Sequence, residues 1–183
     1  MMSGKMILGQ TAEIPGPKKA IILPSAEVAA TMIKKAKRPL LVVGSEANKI
    51  ATKDGDLVDS AIRVMKNRKI TIVATAHLAM EFRKRKVKQI FSMSLMNLGD
   101  RLRDPQWKGL DGKGRYDLAV FTGLPYYFEW LVLSGLKNFA WDLKTISLDR
   151  TYQPNASWSM GLMVEKEWKE VMDKIVSSLE EGS

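Results

Sequence analysis

Arg38-Pro39-Leu40-Leu41-Val42-Val43-Gly44 is the stretch that settles the fold class. Pro39 cannot continue a helix, since it lacks an N–H and clashes with the preceding turn. The four apolar residues after it do not alternate with polar ones, so they describe a short strand covered on both faces, and Gly44 closes it. Such strands belong to parallel sheets flanked by helices.

The segments on either side agree. Upstream, Ala20 to Leu23 offers a short strand, and Pro24 with Ser25 a helix start. Val28, Met32 and Ala36 then recur at helical spacing, with Ala29 and Ile33 beside them. Downstream, Asp54 to Asp56 opens a helix carried by Leu57, Ala61, Val64 and Met65, and Ile70, Ile72, Val73 and Ala74 supply the next strand. His77 to Val87 reads as a helix, Gln89 to Met93 as a strand, and Leu95, Leu98 and Leu102 as a short amphipathic helix. Asp104 to Arg115, with one Pro and three Gly, is a loop leading to the strand Asp117 to Phe121, which ends on Thr122 and Gly123. Tyr126 to Leu136 is apolar nearly all round, so it should be covered on both sides. Lys144 to Leu148 is a last strand, and Val164, Trp168, Val171, Met172, Ile175 and Leu179 share one face of a final helix.

Strands alternating with helices predict an α/β fold: a three-layer, doubly wound, mainly parallel, Rossmann-like sheet with right-handed crossovers. Residues 1 to 20, with Gly4, Gly9, Pro15, Gly16 and Pro17, read as an extended arm, and residues 21 to 183 as a single α/β domain. No apolar run reaches the ~18 residues that cross a bilayer, and the first residues lack a signal-peptide pattern. A cytoplasmic protein without membrane contact is expected.

The 183 residues include no cysteine and one histidine, His77. Disulfides, thiolate-held zinc, Cys-ligated iron–sulfur clusters and a cysteine nucleophile are therefore excluded, and His77 alone builds no His-rich metal site. The net charge of +9 is uneven. Residues 1 to 103 hold 20 Lys and Arg against 8 Asp and Glu, a net of +12, whereas residues 104 to 183 hold 9 against 12, a net of −3. Basic runs at Lys34, Lys35, Lys37, Arg38 and at Arg83 to Lys88 close helices, where cations favour the macrodipole. No aromatic residues are interleaved for base stacking, so these runs suit solvent or an acidic protein surface rather than nucleic acid.

Doubly wound sheets bind ligands beyond the carboxyl ends of their strands. Those ends are Gly44 with Ser45, Thr75 to His77, and Gly123 with Leu124, followed by Tyr126 and Tyr127. Backbone N–H groups at such turns and helix N-termini favour a phosphate. The sequence nevertheless lacks both G-x-G-x-x-G and G-x-x-x-x-G-K-[ST]; Gly109, Gly112 and Gly114 have the wrong order and precede a strand. His77 is expected to be a hydrogen-bonded structural group, and Tyr126 and Tyr127 to be buried more readily than stacked on a ring. No G-x-S-x-G elbow and no close carboxylate pair in an apolar context supports independent catalysis.

Five stretches together resemble a known family: R-P-L-L-V-V-G (38–44), D-P-Q-W-K-G-L-D-G-K-G-R-Y-D-L (104–118), Y-Y (126–127), L-K-N-F (136–139) and Y-Q-P-N-A-S (152–157). They are similar to the epsilon subunit of the archaeal carbon monoxide dehydrogenase/acetyl-CoA decarbonylase/synthase complex, from about Ile14 onward. The strand and helix pattern is also similar to the middle domain of thiamine-diphosphate enzymes and its DHS-like NAD/FAD-binding relatives. The resemblance implies a partner of the large alpha subunit, which carries the nickel–iron–sulfur chemistry. It implies a non-catalytic role that stabilises the assembly, or alternatively an FAD-binding subunit that passes electrons to flavin. FAD would lie against Gly44, Ser45, Thr75, Gly123, Leu124 and Tyr126; no metal and no tightly bound cofactor is expected in the isolated chain, whose self-association stays open. Met160 where an aromatic is expected, and Pro125 before the Tyr pair, depart from the family pattern.

Overall fold

A computed structural model describes residues 18–67, 70–75, 77–88 and 90–181. The chain runs through β1 (Ile21–Ile22), α1 (Ala26–Lys35), β2 (Pro39–Val43), a 3₁₀ turn (Ala47–Lys49), β3 (Ala51–Thr52), β4 (Gly55–Asp56), α2 (Leu57–Asn67) and β5 (Thr71–Ala74). It continues with α3 (Leu78–Lys84), β6 (Phe91–Ser92), α4 (Leu95–Arg103), β7 (Leu118–Thr122), α5 (Tyr126–Phe139), β8 (Lys144–Ser147), β9 (Trp158–Ser159) and α6 (Glu165–Glu180). Most of the expected N-terminal arm, up to position 17, lies outside the described residues, as does Gln89.

Seven strands form one sheet in the order β1-β9-β8-β7-β2-β5-β6, and every pairing in it is parallel. The order runs outward from β2 in both directions, so the switch in winding falls between β2 and β7. Their register places Leu40 opposite Ala119 and Val43 opposite Thr122. This is the α/β, doubly wound, three-layer arrangement expected from the sequence.

Alternation along the strands divides the core in two. Leu41 and Val43 of β2, Ile72 of β5 and Val120 of β7 face one layer, packed by α1, α2, α3 and α6. Leu40, Val42, Val73, Ala119 and Phe121 face the other, packed by α4 and α5. Trp168 is almost completely buried in the first layer, and its indole N–H donates to the Leu148 carbonyl at 2.7 Å.

Helix starts follow from local chemistry. Ser25 caps α1, its hydroxyl accepting from the Val28 N–H at 3.3 Å, and Ser94 caps α4 through the Asn97 N–H. At α2 the Asp59 N–H donates to Asp56 Oδ1 and the Asp56 N–H to Asp59 Oδ2, a reciprocal capping box. Arg85, just beyond α3, grips the same Asp56 with two bonds of 3.0 and 2.7 Å. This ties α3 to the start of α2.

The Gly-rich loop 104–115 folds onto the amino ends of β2 and β7. Arg38 Nη2 donates to Asp111 Oδ1 at 2.7 Å and to the Gly114 carbonyl at 3.2 Å, and its guanidinium lies 5.2 Å from the Tyr116 ring centre. The Tyr116 hydroxyl accepts from the Leu110 N–H, while the Asp117 carboxylate accepts from the N–H groups of Lys37 and Arg38. Gly109, Gly112 and Gly114 all have positive φ, which is why glycines stand there. The two longest family-like stretches are thus two halves of one clasp.

The sequence reading lacked two features. β9 consists of only two residues, and β3 and β4 form a small antiparallel ladder between the 3₁₀ turn and α2. Among the described residues no helix is long and apolar enough to cross a membrane.

Replacing Trp168 by Ala removes a buried ring and orphans the Leu148 carbonyl. A loss of about 3–5 kcal/mol is expected in denaturant unfolding.

Candidate functional site

The carboxyl ends of β2 and β7 meet at the winding switch, where doubly wound sheets open a crevice. Here the crevice is shut. A Cβ placed on Gly44 would lie 2.3 Å from the Gly123 carbonyl oxygen and 2.4 Å from Leu124 Cγ, so the two turns touch backbone to backbone. The Gly44 N–H donates to the Thr122 carbonyl and the Glu46 N–H to the Gly123 carbonyl, both at 2.9 Å. Gly123, at φ 70°, leans on Ala47, whose Cβ would be 2.8 Å from a side chain there.

The remaining donors are taken by an acidic side chain. Asp149, in the turn after β8, accepts from the Gly123 N–H at 2.6 Å and from the Leu124 N–H at 3.1 Å, with Thr122 Oγ1 at 3.4 Å. Two successive N–H groups converging on one carboxylate form an anion nest just before α5, and the anion is the chain's own. Thr75 is buried, its N–H bonded to the Val43 carbonyl. Ser45 is half-buried, and Tyr126 is half-buried with its ring 5.3 Å from that of Tyr127 in an edge-on arrangement.

Behind the nest sits Glu129, completely buried on the inner side of α5. Its Oε2 accepts from Gln153 Nε2 at 3.2 Å, and the same amide donates to the Tyr126 carbonyl at 3.0 Å. Its Oε1 receives no hydrogen bond, and the neighbouring group is the Asp149 carboxylate. Burial first, and then the Asp149 charge, push the Glu129 carboxyl well above the ordinary glutamate range. Burial also raises Asp149, opposed by the Gly123 and Leu124 N–H groups. The consistent assignment is a protonated Glu129 beside an ionised Asp149.

The sequence-selected residues therefore share one place, since Gly44, Ser45, Thr75, Gly123, Leu124 and Tyr126 all border the closed crevice. As arranged, they do not fit a flavin dinucleotide. The Gly44, Gly123 and Leu124 N–H groups are bonded internally, and the Asp149 carboxylate occupies the focus of the last two. His77 is exposed before α3 and its side chain makes no capping bond. The Glu129, Asp149 and Gln153 group escaped the sequence reading because its members come from three separate segments. The available signal was a lone carboxylate inside an otherwise apolar helix.

Comparison with known proteins bears on the whole chain. The family model described as CO dehydrogenase beta subunit/acetyl-CoA synthase epsilon subunit matches residues 7–176. The chain belongs to this family. It is 38% identical to the acetyl-CoA decarbonylase/synthase complex subunit epsilon of Methanothrix soehngenii, over 93% of this chain and 89% of that one. The corresponding protein of Methanothermobacter thermautotrophicus is 31% identical over 96% and 97%. The epsilon 1 protein of Methanosarcina barkeri is 36% identical over 85% and 87%. In this member of the family, the Y-Q-P-N-A-S stretch owes its glutamine to Glu129 and its tyrosine to the bond from the Tyr152 hydroxyl to the Ala20 carbonyl at 2.7 Å.

The buried pair sets a pH dependence. A carboxyl whose folded pKa lies above its unfolded value stabilises the fold below the unfolded pKa, and that contribution is lost as pH rises through the folded one. Thermal stability should therefore fall as pH climbs above the ordinary value of 4.5. Glu129→Gln keeps the shape and a neutral group, so its melting curve should be flatter across the same range. Parallel curves for both proteins would show that Glu129 carries no proton.

Titrating FAD into the purified chain and following flavin fluorescence should give no binding. Flavin bound with the crevice residues protected from hydrogen exchange would show that the nest opens.

Proposed function

We propose that this chain is a non-catalytic accessory subunit that associates with and stabilises the alpha subunit of a carbon monoxide dehydrogenase/acetyl-CoA decarbonylase/synthase complex in the cytoplasm. The relatives are complex subunits by name, and the chain spans nearly their whole length. The observation that carries the reading is the outer face of α5. The sequence pattern calls for cover on both sides of this helix, yet Tyr127, Phe128, Leu131 and Phe139 are each at least half exposed. Met96 of α4 extends the same face.

A groove of about 270 Å³ runs between α4 and α5, with Gly99 and Gly135 where larger side chains would fill it and Leu131, Met96 and Phe139 along its walls. Adjacent apolar side chains beside a shallow groove match the anchors and pocket of a protein interface. The closed strand end supports a binding role over a chemical one, because Glu129 is completely buried and Asp149 is bonded to the chain's own N–H groups. Arg103 and Asp100, paired with each other, stand at the groove's polar rim.

Co-expression with the alpha subunit should yield a complex that resists heat inactivation of CO oxidation better than alpha alone. Phe128→Glu with Leu131→Glu places two charges on the exposed face without touching the core. It should weaken association at least about tenfold, since each buried apolar side chain contributes roughly 1.5–3 kcal/mol. Melting temperature of the isolated chain should stay unchanged. Undiminished binding by this variant would remove the α5 face from the interface.

A further inference from the structure

At the opposite end of the sheet from the closed crevice, a groove of about 550 Å³ lies between the carboxyl end of α5 and the edge strand β1. Lys18, Lys19, Lys137 and Lys144 line it, and among the described residues no carboxylate does. Like charges gathered in one concavity repel one another, and a structure holds them there at a cost unless an anion joins them. The repulsion is visible at Lys137, whose pKa is lowered by burial and then by the Lys18 charge. Its ammonium is fixed by the Lys18 carbonyl and by Asn155 Oδ1.

The rim is apolar. Trp141 is 83% exposed and Ile21 is 61% exposed. The Trp141 N–H is already donated to the Asn138 carbonyl at 2.8 Å, so the indole offers its ring faces and not a hydrogen bond. A large, nearly free ring held in one place by its own N–H is a preorganised contact surface.

Resting on the association proposed above, we infer that this groove receives an acidic segment of the partner subunit. Its carboxylates lie among the four lysines and an apolar side chain of the same segment packs between Trp141 and Ile21. Charge complementarity selects the acidic chemistry. Several features favour a protein segment over a small polyphosphate. Lys18, Lys19 and Lys144 are exposed around an open groove, and its rim is apolar. Phe139, which ends α5, lines the α4–α5 groove and the next residues, Ala140 and Trp141, line this one, so one partner covers both surfaces. The groove is also where the chain enters its described part, at Lys18, which makes residues 1–17 the competing occupant; Glu13 is their one acidic residue.

The complex of the full chain with the alpha subunit is treated with a carbodiimide, which joins amines to carboxylates in direct contact, and the linked peptides are read by mass spectrometry. Lys18, Lys19 or Lys144 should be joined to Asp or Glu of alpha. In parallel, Lys18→Glu, Lys19→Glu and Lys144→Glu are combined, leaving the internally bonded Lys137 in place. The triple variant should bind at least about tenfold more weakly at low salt, with most of its salt dependence gone. Trp141→Ala should weaken binding by about fivefold at every salt concentration. Links to Glu13 instead of to alpha would assign the groove to the chain's own first residues and overturn the inference. Inorganic tripolyphosphate that protects these lysines from acetylation in the assembled complex would assign it to a small anion and also overturn it. Unchanged affinity of the triple variant, together with loss of binding by the Phe128 and Leu131 variant, would refute the groove and leave the association standing. No binding by the wild-type chain would remove both.

Discussion

The arrangement at the carboxyl end of the sheet depends on the contact between Gly44 and Gly123. The space that a Cβ would take on Gly44 is filled by a carbonyl oxygen and a leucine side chain, so the two central turns are locked at backbone distance. Once they touch, their N–H groups bond internally, and Asp149 is the acceptor brought to the Gly123 and Leu124 N–H groups. Burial, and then the Asp149 charge fixed beside it, push the Glu129 carboxyl well above the ordinary glutamate range. A turn geometry that serves anion capture in other doubly wound folds here holds an internal anion. The sheet keeps the strand order of a dinucleotide-binding fold while its phosphate position is filled from within.

The two ends of the sheet have different character as a result. At the carboxyl end the two central turns are in backbone contact and Asp149 is held by the Gly123 and Leu124 N–H groups. The opposite end and the outer side of α5 carry exposed side chains: Tyr127, Phe128 and Leu131 along the helix, and a lysine-lined groove with Trp141 beyond it. The chain belongs to a family named for subunits of a larger assembly, and fold alone does not fix where such a subunit makes its contacts.

Much of this was legible in the sequence. The runs at Leu40 to Val43 and Ile72 to Ala74 are strands because parallel strands buried on both faces need no alternation, and they became β2 and β5. Gly44 and Gly123 were visible as strand ends, and both lie at the winding switch. What could not be read was what meets there. Asp149 follows a strand and looks like any turn residue, and Glu129 differs from a surface glutamate only in the apolar helix around it. Two-residue strands such as β9 carry too little pattern to register, and β3 with β4 is held by the Asp56 and Asp59 exchange at the start of α2, not by hydrophobic periodicity. The apolar circumference of α5 implied cover on both sides, whereas in the structure α4 packs on one side and Tyr127, Phe128 and Leu131 stay exposed on the other.

The parallel pairing of β2 with β7 also bears on how the chain acquires this shape. Arg38 and Asp117, at the amino ends of these strands, are bonded although they stand 79 positions apart in sequence, whereas β2 reaches β5 through the shorter excursion over α2. Closing the longer loop costs more chain entropy before any contact returns it, so the half containing β2, α2 and β5 has the lower barrier to assembly. The centre of the finished sheet is then a seam between an early half and a late half. The Arg38 clasp and the paired glycines are stitches at its two ends, and a chain released before β7 is complete has an exposed edge along β2 in place of its middle strand.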